Sequence, residues 1–63
     1  MKNAGEVLQK LRKKNGDTQE ALAGKLGIGR TAVTKYELGI VPITHPMIVQ
    51  ICKTYKEDPK IFF

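Results

Sequence analysis

Residues 24–33, GKLGIGRTAV, place three glycines inside a run whose two flanks both read as helix. On the left, QEALAGKL (residues 19–26) puts Leu22, Ala23 and Leu26 on one side. On the right, RTAVTKYEL (30–38) turns Val33 and Tyr36 inward at i, i+3. Gly27 suits the left-handed position that ends a helix, and Gly29 can open the next one with no side chain in the way. Ile28 between them is apolar and is expected to plug the angle between the two helices. The other side of the second helix carries Arg30, Thr31, Thr34 and Lys35, spaced i, i+1, i+4, i+5. That face is polar, basic and short.

Outward from the break, the remaining segments also read as helix. AGEVLQKLRKK (4–14) sets Ala4, Leu8 and Leu11 on one stripe, with cations in its last turn, and Asn15-Gly16 stops it. Thr18 is placed to cap the helix that follows. Pro42 and Pro46 make IVPITHP (40–46) an extended connection. Thr44 or His45 then caps a helix with Met47, Ile48, Ile51, Cys52 and Tyr55 on its apolar side, and Asp58-Pro59 opens a last short turn ending IFF. No strand alternation, repeat or linker is present. The reading is all-α: one compact domain over 1–63, four to five short helices, with the second helix about 18–26, a turn at 27–29 and the third helix about 29–38.

The 63 residues carry eleven Lys/Arg against six Asp/Glu, for +5 at pH 7. Four of those charges belong to residues 1–38, the half that holds the glycine break. Such a balance suits a polyanion: nucleic acid, or an anionic membrane surface. A membrane-surface peptide would need one long amphipathic basic helix, and the glycines oppose it. No apolar run approaches the length of a membrane span and there is no signal-peptide core, so a cytoplasmic setting is expected. Cys52 has no cysteine partner and falls in an apolar pattern, as a small core residue does. One Cys and one His assemble no metal cluster. GKLGIG follows a helix, where a phosphate-binding glycine loop would follow a strand. No cofactor and no enzymatic activity are expected.

Two short helices around a glycine turn form a helix-turn-helix pattern. TQEALAGKLGIGRTAVTKYELG (18–39) resembles the lambda-repressor and Cro type of helix-turn-helix domain, the Xre family, through Gln19, Ala23, Gly27 and Val33. The resemblance extends over nearly the whole chain, including Arg12 and the terminal IFF. It implies a third helix lying in the major groove of DNA, with Arg30, Thr31 and Lys35 at base-reading positions and Thr34 on the same face. It also implies phosphate contacts at Thr18 and Gln19, close backbone approach at Gly29, and a structural salt bridge between Arg12 and Glu37. Backbone amides after the third helix form a further phosphate clamp in the family. Here that segment is Ile40–Thr44, where Pro42 lacks a donor.

The chain departs from the pattern at Leu38-Gly39, where relatives carry Asn-Gly, and at Ile40 and Val41, where they are often basic. Leu38, Ile40 and Val41 are therefore either a dimer seam beside the DNA face or apolar residues packed under the loop. Two function classes fit. One is a sequence-specific transcriptional regulator of phage or bacterial type, binding an inverted-repeat operator as a homodimer and acting by occupying a promoter. The other is a protein-interaction module on the same fold, antitoxin-like or an anti-repressor partner, with weak DNA binding. The basic face of the third helix favours the first, and the 38–41 patch keeps the second open. The chain is either a complete regulator or the DNA-binding half of a longer one.

Overall fold

A computed structural model describes residues 3–63. Four α-helices and a terminal 3-10 turn account for its regular structure, and no strand occurs among the described residues. Helix α1 runs Ala4–Lys14, α2 Gln19–Leu26, α3 Arg30–Glu37 and α4 His45–Tyr55, and the 3-10 turn is Pro59–Phe62. The glycine-bearing segment thus separates two eight-residue helices, Gly29 and Leu38 being the residues that flank α3.

Local chemistry fixes each end. The Asn3 side chain accepts from the Gly5 and Glu6 amides, a cap for α1 that the sequence reading left out. Thr18 Oγ1 accepts from the Ala21 amide at 3.0 Å and caps α2. Of the two candidates for α4, Thr44 is the cap, accepting from Met47. Asp58 accepts from Lys60 at the head of the 3-10 turn. Gly27 leaves α2 in the left-handed conformation at φ 70°. Lys56 does the same after α4 at φ 55°, without the glycine that normally makes that conformation cheap.

The core is a single cluster: Leu8 and Leu11 from α1, Leu22, Ala23 and Leu26 from α2, Val33 from α3, Ile48, Ile51, Cys52 and Tyr55 from α4, and Phe62. Ile28 packs against it from the turn. Burial pushes the Cys52 thiol above its ordinary pKa, so at neutral pH it is protonated and serves as a small apolar side chain. Val33 is the one α3 side chain fully enclosed, and α3 lies chiefly on α2 and α1. That leaves the opposite side of α3 to solvent.

Candidate nucleic-acid interface

Arg30, Thr31 and Lys35 are exposed on the solvent side of α3. Thr34 differs from the expectation that placed it with them. It is half-buried, and its Oγ1 donates toward Gln19 Oε1 (2.9 Å) and the Arg30 carbonyl (3.1 Å). Helical spacing within α3 could not show that α2 stands close enough for Gln19 to engage it. Gly29 opens α3 with no side-chain cap, and no atom lies within 4 Å of where a Cβ would sit. An outside group can therefore come close to the backbone there.

Behind this face lies a polar network. Arg12 is buried and donates to both Glu37 oxygens, Nε to Oε2 at 2.7 Å and Nη2 to Oε1 at 3.1 Å. The paired geometry is the strong, orienting form of a guanidinium–carboxylate contact. The Glu37 side chain is only 2% exposed. Gln19 Nε2 donates to Glu37 Oε1 at 3.0 Å. The amide expected to meet a phosphate thus already gives one hydrogen to Glu37, and its second Nε2 hydrogen is what it has left for an outside acceptor. The bond to Glu37, aided by its charge, holds the Arg12 guanidinium above its ordinary pKa against the cost of burial.

Arg12 Nη1 also donates to the backbone oxygen of Asp17 at 2.9 Å. The Asp17 carboxylate in turn accepts from Lys25 Nζ (2.6 Å) and Tyr55 Oη (2.7 Å), joining the α1–α2 loop to α2 and α4. These two bonds, Lys25 first, hold its pKa below the ordinary carboxylate range. Burial, together with the carboxylate, pushes the Tyr55 phenol up. Sequence reasoning missed this cluster because Asp17 and Tyr55 stand 38 residues apart and no local pattern links them.

A surface concavity of about 430 Å³ opens at the head of α2, lined by Arg12, Gly16, Asp17, Thr18, Gln19, Glu20 and Arg30. It brings the N-terminus of α2 beside Arg30, with Asp17 and Glu20 also on its wall and Arg12 already paired with Glu37. Another of about 480 Å³ lies between α1 and the 3-10 turn and contains no α3 residue.

Beyond α3, two of the amides expected to form a clamp have partners within the chain. The Ile40 and Val41 amides both donate to the Lys35 carbonyl, at 3.0 and 3.4 Å. Leu38 is 68% exposed, Ile40 64% and Val41 38%, so these residues do not pack under the loop; Ile43 turns toward the core instead. No group of three or more His, Cys, Asp or Glu able to hold a metal occurs among the described residues.

Comparison with known proteins agrees with this architecture. A family model described as helix-turn-helix matches residues 8–62. The structure is similar to that of the P22 c2 repressor protein, solved in complex with a synthetic operator. The TM-score is 0.86 at 21% identity, covering 100% of this chain and 96% of that one. At this identity the likeness speaks for the fold. No curated protein matches the chain.

Proposed function

The chain belongs to the helix-turn-helix family, and we propose that it is a sequence-specific DNA-binding regulator that docks α3 in the major groove. One observation carries this reading: an exposed face of Arg30, Thr31 and Lys35 on a helix locked from behind by Arg12, Glu37 and Gln19. Such a helix is oriented before its ligand arrives, which lowers the ordering cost of binding. The P22 c2 repressor, with the same fold, was solved on operator DNA.

In this proposal Arg30 pairs bidentately with guanine O6 and N7, a contact worth roughly 1–3 kcal/mol of discrimination. Lys35 places a point charge against a base edge or phosphate, and Thr31 and Thr34 contact neighbouring edges. Thr18, the spare Gln19 hydrogen and the backbone at Gly29 take phosphate oxygens around the concavity at the head of α2. Leu38, Ile40 and Val41 meet their counterparts on a second copy, giving a homodimer on an inverted repeat with half-sites about 34 Å apart. Occupancy of a promoter by that dimer regulates transcription. Among the described residues no helix is long and apolar enough to cross a membrane, and a DNA-associated protein of the cytoplasm is consistent with that.

The exposed apolar patch also supports a second reading, a protein-interaction module that uses residues 38–41 and binds DNA weakly. Selection of bound duplexes from a random pool, followed by sequencing, separates the two. An enriched inverted repeat supports the dimeric reader and a single half-site a monomeric one. No enrichment by folded protein leaves the protein-interaction reading.

A further inference from the structure

The polar chain that reaches from α1 to the outer face of α3 has a direction. Glu37 is paired to Arg12 through both oxygens, and a carboxylate only accepts. Gln19 must therefore turn its NH₂ toward Glu37, which fixes its carbonyl oxygen against α3. That oxygen faces Thr34 Oγ1 at 2.9 Å. The second neighbour of the same hydroxyl is the Arg30 carbonyl at 3.1 Å, another pure acceptor. A threonine hydroxyl has one proton, and both of these neighbours call for it. The proton is taken up by the protein, and what the Thr34 Oγ1 has left for an outside group is lone pairs.

Resting on the reading of α3 as a helix in the major groove, we propose that Thr34 is an acceptor-only contact. It selects a base with an exocyclic amino group, adenine or cytosine, on the strand that faces it. Glu37 and Gln19 are the positioning residues that impose this polarity. An unconstrained threonine serves donor and acceptor edges alike, because its hydroxyl rotates to suit. In the major groove adenine N6 and cytosine N4 donate, whereas guanine O6 and thymine O4 accept and would meet lone pairs here. The network behind α3 thus contributes specificity as well as rigidity.

The test is random-pool selection with the wild-type protein and four variants, each checked for folding by circular dichroism. Wild type is expected to enrich adenine or cytosine over guanine or thymine at one position per half-site, by roughly three- to tenfold, the worth of one neutral hydrogen bond. Thr34→Ser keeps the preference, and Thr34→Val loses it at that position alone. Gln19→Met leaves the Arg12–Glu37 pair in place and removes the nearer of the two carbonyls that claim the proton, the Arg30 carbonyl remaining, so the preference at that position narrows. Glu37→Gln, in which the Gln19 amide is free to turn over, does likewise. Preference at the Arg30 base pair stays unchanged in Thr34→Ser and Thr34→Val. An enriched site with no amino preference that Thr34→Val erases overturns the proposal alone. A preference unchanged in both Gln19→Met and Glu37→Gln overturns the positioning part. No enriched sequence at all overturns the DNA reading, and this one with it.

Discussion

Gly5 on α1 lies against the backbone carbonyl of Tyr36 on α3 with no room for a methyl group. A Cβ at Gly5 would stand 2.5 Å from that oxygen and 2.6 Å from the carbonyl oxygen of Glu37. The N-terminal turn of α1 thus abuts the C-terminal carbonyls of α3, where the two helix dipoles attract. Gly5→Ala is expected to destabilise the fold by about 1–3 kcal/mol through overpacking. Gly24 is the control. It is exposed in α2 with nothing within 4 Å of a Cβ, so Gly24→Ala should stabilise by up to about 1 kcal/mol. Urea titrations followed by circular dichroism measure both, and equal effects would show that the close approach has no energetic weight.

Truncating Arg12 strands a carboxylate. With the Glu37 side chain 2% exposed, Arg12→Ala leaves it without its charge partner, at a cost of about 3 kcal/mol or more. A domain of this size holds roughly 3–9 kcal/mol in total, so the variant should lose about a third or more of its stability and melt well below wild type. An unchanged melting curve would deny the pair its structural role.

Acid and alkali should act on the Asp17–Tyr55 pair in opposite limbs. Asp17 has a depressed folded pKa, so its contribution is present above the ordinary carboxylate pKa near 4 and is lost as pH falls through the folded value. Tyr55 has a raised pKa, so its contribution is complete below about 10 and is lost as pH rises toward the folded value. Stability against pH should therefore flatten on the acid side in Asp17→Asn and on the alkaline side in Tyr55→Phe. Chemical denaturation at a series of pH values reads both slopes.

Ile40→Lys should leave folding stability within about 0.5 kcal/mol of wild type, because the side chain is 64% exposed. If the 38–41 patch joins two copies, the variant keeps its affinity for a half-site and loses the cooperative gain on the full repeat. Mobility-shift titrations on the two duplexes give that comparison.

Much of the fold was legible because local chemistry decides it. The stripe of Ala4, Leu8 and Leu11 and the stop at Asn15-Gly16 define α1, and Gly27 marks the end of α2. The site was legible only in part. Helical spacing shows which way Arg30 and Lys35 face, but it does not show that Gln19 from a neighbouring helix would reach Thr34. Gly5 reads as one more small residue in a first turn until α3 is laid across it. Lys56 adopts a left-handed backbone that its residue type does not announce. Apart from Lys56 and the Asn3 cap, what escaped was non-local: contacts between segments far apart in the chain.

Three of the basic side chains are already spoken for. Arg12 is held by Glu37, Lys25 by Asp17 and Lys14 by Glu57. On a duplex, the slope of affinity against salt counts the cations that replace condensed counterions on phosphates, about 0.9 for each. Eleven Lys/Arg would therefore overstate the ions released, since a cation paired with a carboxylate is less available to a phosphate, the buried Arg12 most of all. Of the others, Arg30 and Lys35 are the two exposed on α3.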